Sequence, residues 1–176
     1  AVAKRHQRGQ RMARENIEDL CDPGSFIEYG ALALAAQRRR RELDELIRMS
    51  PADGLVGGMA TINRGVFGDE AARCMVMSYD YTVFAGTQGA MNHKKTDRML
   101  NLAEARRLPL VVFAEGGGGR PGDTDATVVA GLDVPTFRQY ARLSGLVPRI
   151  TVVSGRCFAG NAARGNYKVK PAWEDD

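Results

Sequence analysis

Two glycine-rich segments are the parts of this sequence best suited to chemistry. Residues 110–120 and 150–162 each contain an apolar, β-branched run that breaks into glycine. Glycine at the end of a strand leaves backbone N–H groups open to a ligand, because no Cβ covers them. Two such turns from consecutive strands of one sheet predict N–H donors on both sides of a single oxygen atom. That geometry stabilises a carbonyl as it becomes an enolate.

Other catalytic chemistries find less support in the sequence. The four glycines at 116–119 are not followed by the Lys-Ser/Thr pair of a phosphate-binding P-loop. His6 and His93 form no triad with an identifiable Ser or Cys, and no constellation of residues predicts a metal site. The three cysteines lack metal-ligand spacing, so they predict reduced thiols in the cytoplasm.

Size and charge narrow the class of protein. The chain has 176 residues, 44% of them hydrophobic, which suffices for one domain with its own core. Its net charge is +4, which indicates either a polyanionic ligand, such as nucleic acid or a coenzyme A compound, or a coding bias toward arginine. We find no signal peptide and no apolar run of the roughly 20 residues needed to span a bilayer. The absence of an initiator Met leads us to expect an upstream segment.

Hydrophobic periodicity predicts helices alternating with apolar strands, which indicates an α/β layer fold. The predicted elements are a helix over 5–20, a strand over 26–29, a helix over 35–48, a strand over 55–62, a hairpin turn at 63–65, a loop over 68–72, a strand over 73–81, a helix over 87–107, a strand over 110–113, a helix over 134–146 and a strand over 150–153.

Five segments, taken together, carry a family resemblance. They read RENIEDLCDPGSFIE (14–28), PADG (51–54), YTVFAGTQG (81–89), EGGGGR (115–120) and GRCFAGNA (155–162). In this order the sequence resembles, over about residues 5–163, the N-terminal domain of the carboxyltransferase component (beta-subunit type) of biotin-dependent acyl-CoA carboxylases. We therefore expect an N-terminal part of such a domain over 1–163.

The resemblance implies a fold and a reaction. The fold would be the crotonase-like (ClpP/crotonase) superhelix of stacked ββα units, incomplete here and preceded by an N-terminal helical segment. The reaction would move a carboxyl group from carboxybiotin to the α-carbon of an acyl-CoA. The implied partners are the acyl-CoA, a biotin carboxyl carrier or biotin carboxylase component and, in the full-length protein, further copies of the same subunit. It implies no nucleic acid, membrane or metal.

The same resemblance assigns the oxyanion donors. They map onto Gly117, Gly118, Gly119, Gly160 and Asn161. Many family members have glycine where this chain has Asn161; the N–H survives that change, and we expect the extra side chain to narrow the acyl pocket. Glu115 receives no catalytic role, because the family implies that biotin itself takes the α-proton.

An acyl-CoA-binding set follows from the resemblance as well. It consists of Phe84, Ala85, Gly86, Thr87, Lys94 and Arg120. Thr87 could instead be only the N-cap of the following helix. Arg120 either positions its loop or faces the acyl-CoA.

Several basic residues have two open interpretations. His93, Lys94 and Lys95 lie in the first turns of a predicted helix, where they either approach a phosphate or form a solvated face. The arginines at 38–41 include a candidate contact for the 3′-phosphate of CoA, but a run of four on a helix is mostly solvated surface.

The end of the chain departs from the family. Residues 164–176 have no apolar face and predict a polar tail in place of a buried helix. We therefore expect a chain that cannot carboxylate an acyl-CoA alone and that exposes apolar surface. Three alternatives stay open: an acyl-CoA decarboxylase of the same fold, a basic nucleic-acid-binding module and a non-catalytic assembly subunit.

Overall fold

A six-stranded mixed sheet organises the chain. The computed structural model describes residues 2–126, 134–163 and 168–169. The strands are β1 (Ile27–Glu28), β2 (Leu55–Thr61), β3 (Arg73–Tyr79), β4 (Leu110–Gly117), β5 (Arg149–Phe158) and β6 (Lys168–Val169). They lie in sequence order, with β1, β2 and β3 antiparallel and β3 to β6 parallel.

Helices fill the connections between the strands, as the alternating pattern predicts. They are α1 (Val2–His6), α2 (Ala13–Leu20), α3 (Leu43–Met49), α4 (Arg64–Ala71), α5 (Ala90–Arg106), α6 (Thr136–Arg142) and α7 (Ala159–Ala163). Two 3₁₀ turns, Pro51–Gly54 and Phe84–Gly86, precede β2 and α5. Since α5 joins β3 to β4 and α6 lies between β4 and β5, these two parallel pairs are linked by crossovers that contain helices.

Both faces of the sheet are buried, and β3 shows this most clearly. Met75 and Met77 point into a core shared with α5 and α6, whereas Cys74 and Val76 point into a second core shared with α2. All four side chains are at most 3% exposed. Burying a side chain of this size stabilises a fold by about 1.5–3 kcal/mol, so β3 anchors both layers.

The helix predicted over residues 5–20 is wrong in its continuity. It is two helices, α1 and α2, separated by a turn in which Gly9 has φ 68°. Arg5 stabilises this break, because its Nη2 donates to the Arg11 carbonyl at 2.7 Å. The guanidinium thus donates a hydrogen bond across the turn.

The helix predicted over residues 35–48 is also shorter than expected, since only α3 is helical. The backbone N–H groups of Arg38 and Arg39 donate to the Asp125 carboxylate, at 2.6 and 3.0 Å. The Gln37 side-chain amide donates to Asp123 at 3.0 Å. These contacts to a distant loop replace the hydrogen bonds of a helix.

The turn and loop predicted between β2 and β3 are wrong, because the segment forms the helix α4. None of its residues is buried, so it has no apolar face by which periodicity could reveal it. Asn63 precedes it in the left-handed conformation, and Gly68 kinks it with φ 79°.

Four other elements differ from expectation in their bounds. The predicted strands 110–113 and 150–153 continue to Gly117 and Phe158, because their glycine-containing ends pair with each other. The helix predicted over 134–146 is confined to α6, and the one predicted over 87–107 begins only at Ala90. Of the predicted polar tail, residues 168–169 form β6 beside β5, and the remainder lies outside the described residues.

Candidate functional site

The two glycine segments meet side by side at the carboxyl ends of β4 and β5. Gly116 is the partner of Cys157, and Gly117 is the partner of Phe158. A Cβ on Gly117 would lie 2.1 Å from the Phe158 carbonyl oxygen, so no side chain fits there. The structure thus brings Gly117 next to the turn that leads into α7. The role of these segments as an oxyanion site stays a prediction.

Gly119 lies at the open rim of this junction. The isolated bridge between Gln88 and Gly119 uses the Gly118 carbonyl, which accepts from the Gln88 N–H at 2.8 Å, and the Arg120 N–H, which donates to the Gln88 carbonyl at 3.0 Å. The N–H of Gly119 takes no part in this bridge. Gly119 is also exposed, and its role as an oxyanion donor stays a prediction.

The 3₁₀ turn Phe84–Gly86 lies directly against the glycine end of β4. A Cβ on Gly116 would lie 2.0 Å from the Ala85 carbonyl oxygen, and one on Gly86 would lie 2.5 Å from the Glu115 carbonyl oxygen. The predicted acyl-CoA-binding segment is therefore a neighbour of the predicted oxyanion segment, although the two are about thirty residues apart in sequence.

Left-handed backbone conformations cluster around the junction. Phe84, Ala85 and Ala159 have φ of 47°, 53° and 46°, although none of them is glycine. Such conformations cost of the order of 1–3 kcal/mol each and persist where the surroundings enforce them, commonly at functional sites. The sequence gives no sign of them, because glycine is the only residue whose presence signals a left-handed turn.

The Asn161 side chain is held within the protein, and its expected narrowing of an acyl pocket stays a prediction. Asn161 is fully buried. Its Nδ2 donates to the carbonyls of Gly86 at 3.0 Å and Glu115 at 2.8 Å, and its Oδ1 accepts from Gln88. Through these hydrogen bonds the side chain links α7, β4 and the Phe84–Gly86 turn. The Asn161 N–H stays assigned to the predicted oxyanion site.

Arg120 is buried, and its contacts favour the loop-positioning interpretation of its side chain over the ligand-facing one. Its Nε and Nη2 donate to the Oγ1 and the carbonyl of Thr87, at 3.2 and 2.7 Å, and its Nη1 donates to Asp53. The guanidinium carbon also lies 4.8 Å from the centre of the Phe84 ring.

The start of α5 is occupied by the protein's own carboxylates. Asp123 accepts the Ala90 N–H at 2.9 Å, and Asp53 accepts the Asn92 N–H at 2.7 Å. A helix N-terminus favours anions, as the sequence analysis expected, and here both anions are buried side chains. Thr87 is not the N-cap, because that position belongs to Gly89, and its Oγ1 donates to the Phe84 carbonyl at 2.8 Å.

Lys95 is buried, so its expected place on a solvated face or beside a phosphate is wrong. Asp53 is a buried residue to which the sequence assigned no role. The Lys95 Nζ donates to the carbonyls of Ala52, at 2.9 Å, and of Leu55. Burial lowers the pKa of Lys95 to about 8. Burial also raises the pKa of Asp53, against the opposing effect of Arg120. The PADG segment offered the only signal: a carboxylate in an apolar context just before a strand.

The remaining basic candidates separate into buried and exposed residues. Lys94 is exposed, so its predicted contact with CoA stays open. His93 is buried, with its Nδ1 2.8 Å from the Thr136 Oγ1 of α6. The residues 38–40 are exposed but lie in turns rather than on a helix.

Glu115 forms a buried ion pair with Arg5. Its two carboxylate oxygens accept from the Nη1 and Nη2 of Arg5, at 3.0 and 2.7 Å, and both residues are buried. The guanidinium therefore contacts both oxygens of this carboxylate. That Glu115 has no catalytic role stays a prediction.

The part of the chain that the structure describes contains no cluster of three or more His, Cys, Asp or Glu side chains that could hold a metal ion. Within the same ranges, no helix has the length and apolar character to cross a membrane. Cys21 and Cys74 are free thiols, and both are buried.

Comparison with known proteins gives consistent matches. The family model described as a carboxyl transferase domain matches residues 4–164. The chain is 34% identical over 160 residues to the propionyl-CoA carboxylase beta chain of Saccharopolyspora erythraea. It is 36% identical over 160 residues to the biotin-dependent long chain acyl-coenzyme A carboxylase beta4 subunit of Mycobacterium tuberculosis. Each alignment covers 91% of this chain but only 27% of the relative.

Solved structures give the same picture. A single-chain, multi-domain long-chain acyl-CoA carboxylase is 67% identical, with a TM-score of 0.86 over 93% of this chain and 16% of that one. A hexameric transcarboxylase 12S structure with hydrolysed methylmalonyl-coenzyme A bound is 31% identical, with a TM-score of 0.74 over 93% of this chain and 30% of that one. This chain therefore spans less than a third of the length of each of these relatives.

Proposed function

Because this chain belongs to the carboxyl transferase domain family and has the crotonase-like fold of its subunits, we propose that it is the acyl-CoA-binding part of a biotin-dependent carboxyltransferase. The reaction would move a carboxyl group from carboxybiotin to the α-carbon of an acyl-CoA. Carboxybiotin would arrive as a second substrate on a partner protein or domain, and we assign no residue of this chain to hold it.

One observation carries the proposal: the glycine ends of β4 and β5 lie side by side, with Gly117 paired to Phe158 and the turn Phe84–Gly86 packed against Gly116. An acyl-CoA laid along that turn would bring its thioester oxygen to the N–H groups of Gly118, Gly119, Gly160 and Asn161. One well-placed donor of this kind contributes about 10²–10³ in rate, or roughly 3–4 kcal/mol.

The charges around the junction are compatible with an enolate that is stabilised by uncharged backbone donors. Glu115 is neutralised by Arg5, and Asp53 is paired with Arg120, so neither carboxylate repels a developing negative charge. The donors are backbone groups that carry no charge and need no proton of their own. We therefore assign this chain the stabilisation of the enolate, and we assign none of its side chains as the base.

Partners and compartment follow from the same proposal. A relative of this chain is described as a hexamer assembly that binds substrate, and we extend an oligomeric state to the full-length protein. A biotin carboxyl carrier or biotin carboxylase component would be the other partner, since relatives are biotin-dependent. We also propose a cytoplasmic location, since Cys21 and Cys74 are free thiols.

Calorimetric titration of the purified chain tests the proposal. We expect saturable binding of a short acyl-CoA, weaker binding of the matching acyl-pantetheine, and no tight binding of a non-specific RNA. In ¹⁵N spectra, the amide signals of Gly118, Gly119 and Asn161 should shift when the acyl-CoA is added. Strong, salt-sensitive RNA binding without acyl-CoA binding would overturn the proposal in favour of a basic nucleic-acid-binding module.

A further inference from the structure

Arg120 links the two segments of the proposed site to a third part of the chain. It follows the glycine segment directly in sequence, yet its guanidinium is bound to Thr87, 33 residues earlier, and to Asp53, 67 residues earlier. Only 5% of the residue is exposed. Each of its three nitrogens donates to a protein oxygen, so little of this buried group is open to a ligand.

Asp53, which accepts from this guanidinium, is itself held in position by its surroundings. Its backbone and that of Ala52 are left-handed, with φ of 48° and 53°, a conformation that non-glycine residues adopt only when held. The contacts that hold this segment come from α5. Lys95 donates to the carbonyls of Ala52 and Leu55, and the side-chain amide of Asn92 donates to the Asp53 carbonyl at 3.2 Å. The most regular helix of the fold thereby fixes the position of Asp53.

The charges in this buried cluster balance. Asp53 and Asp123 contribute two carboxylates, and Arg120 and Lys95 contribute two cations. The Nη1 of Arg120 lies 3.7 Å from the Oδ1 of Asp123 as well as in contact with Asp53. A Cβ on Gly89 would lie 2.4 Å from the Asp123 Oδ2 and 2.5 Å from the Arg120 Nη1, so the chain has a glycine where the cluster needs room.

We propose that Arg120 is a positioning residue: through Asp53 and Thr87 it holds residues 84–87 against the glycine segment, and so sets the shape of the acyl-CoA site without touching the ligand. This inference rests on the proposed function. Lysine cannot replace Arg120 in this role, because a single ammonium cannot reproduce the planar fork that reaches Asp53 and both oxygens of Thr87.

The test separates positioning from stability by comparing single and double variants. Arg120→Met leaves Asp53 buried without its cation, so it should lower the melting temperature and weaken acyl-CoA binding at least tenfold. Asp53→Asn combined with Arg120→Met removes both charges and should recover part of the melting temperature. Binding should stay at least tenfold weaker in the double variant, because residues 84–87 have still lost their anchor. Arg120→Lys should behave similarly in binding.

Two further measurements keep the outcomes distinct. Arg120→Met should weaken the binding of acyl-pantetheine by the same factor as the binding of acyl-CoA, because a misplaced site affects both ligands. Without any ligand, the amide signals of Gly86, Thr87 and Gly119 should shift in the same variant. As a matched control, Arg142→Met removes an exposed arginine that pairs with Glu104 at 2.7 Å, and it should change neither readout.

Three results would overturn the proposal. One is wild-type affinity in Arg120→Met, and another is recovery of affinity in step with melting temperature in the double variant. The third is a loss of affinity for acyl-CoA without a loss of affinity for acyl-pantetheine, which would assign Arg120 a direct contact with the nucleotide. If the wild-type chain binds no acyl-CoA, the proposed function fails, and the ligand-free amide signals still decide whether Arg120 positions the two segments.

Discussion

Several buried polar residues hold the segments of the candidate site in place through hydrogen bonds. Asn161 and Arg120 each donate to oxygen atoms from two different parts of the chain, and Lys95 donates to two carbonyls of the segment 52–55. Buried polar groups are tolerated only when they are hydrogen-bonded, and removing one partner leaves the other unsatisfied at a cost of about 1–3 kcal/mol. Each of these residues is thus sensitive to substitution in a way that an exposed equivalent is not.

Lys95 makes the stability of the chain depend on pH. Its folded pKa of about 8 lies below the ordinary value of 10.5, because burial penalises the charged ammonium. Between these values the unfolded chain keeps a proton that the folded chain has lost, so stability rises with pH across this window. We expect the free energy of unfolding of the wild type to rise relative to that of Lys95→Met by up to about 3 kcal/mol from pH 8 to 10.5.

Denaturant titrations of both proteins at several pH values measure this difference. The buried thiols Cys21 and Cys74, whose pKa values burial raises to about 11 and 12, oppose the trend above pH 9. They are present in both proteins and cancel in the comparison. A difference between the two proteins that stays constant from pH 8 to 10.5 would contradict the prediction.

Asn161 should matter through its side chain as well as through its N–H. Asn161→Ala leaves the carbonyls of Gly86 and Glu115 without their donor and Gln88 without its acceptor. We expect a loss of about 2–4 kcal/mol in the free energy of unfolding, read from urea denaturation. Asn101→Ala, at an exposed position of α5, is the matched control and should change stability by less than about 0.5 kcal/mol. Equal effects of the two substitutions would contradict the assigned contacts.

At the scale of elements, two glycines in different surroundings make a sharp comparison. A Cβ on Gly116 would lie 2.0 Å from the Ala85 carbonyl oxygen, and its φ is 70°. Gly116→Ala must therefore push the Phe84–Gly86 turn away from β4, and we expect a loss of at least about 3 kcal/mol or failure to fold. At Gly65, in the exposed helix α4, a Cβ meets nothing within 4 Å.

Gly65→Ala should consequently leave stability unchanged or raise it by up to about 1 kcal/mol, because alanine is the better helix former. Thermal unfolding of the two variants beside the wild type measures both effects. A Gly116→Ala protein as stable as Gly65→Ala would show that the turn does not lie on β4 as described.

The N-terminal helix α1 is attached to the sheet by one buried ion pair. Arg5 binds both carboxylate oxygens of Glu115, 110 residues away, and lies 5.8 Å from the centre of the Tyr81 ring. In Arg5→Met we expect faster hydrogen exchange over residues 2–10 and a stability loss of about 3–5 kcal/mol, since Glu115 would be buried and unpaired. Arg8→Met, at an exposed position three residues later, should leave the exchange unchanged. Equal exchange in both variants would argue against this attachment.

The sequence predicts the elements that have a strong period and misses those held by distant partners. The strands β2, β3, β4 and β5 and the long helix α5 follow from their apolar patterns, and the two glycine breaks locate the junction at the sheet edge. The break between α1 and α2 depends on Glu115, and the turns at 35–41 depend on Asp123 and Asp125, so no local pattern reveals them.

The candidate site divides in the same way. The glycine break itself was visible in the sequence, and at Gly117 no side chain fits where β4 and β5 meet, while Gly118 has a left-handed φ of 88°. The left-handed Phe84, Ala85 and Ala159 were not predictable, because ordinary residues adopt that conformation only under constraint from their neighbours. The direction of the Asn161 side chain was also beyond the sequence, which could identify its N–H but not the two carbonyls beneath it.

For the whole molecule, the sheet is covered on both faces, yet several large apolar side chains stand in solvent. The most exposed are Leu32, Val66 and Phe67, at 93%, 77% and 62%. Val66 and Phe67 are adjacent on α4, a helix with no buried residue, so together they form a protruding apolar pair. Exposed apolar groups of this kind favour association between molecules.

We therefore expect the purified chain to self-associate as its concentration rises, and Phe67→Lys to reduce that association. Because Phe67 is exposed, the substitution removes apolar surface from solvent without opening a cavity, so the melting temperature at low concentration should stay within about 2 °C of the wild type. Glu70→Lys, an exposed change on the same helix that alters charge without removing apolar surface, is the matched control. Sedimentation velocity over a hundredfold range of concentration measures the effect. If both variants dissociate equally, charge rather than the apolar pair governs association, and a wild type that stays monomeric throughout would contradict the prediction itself.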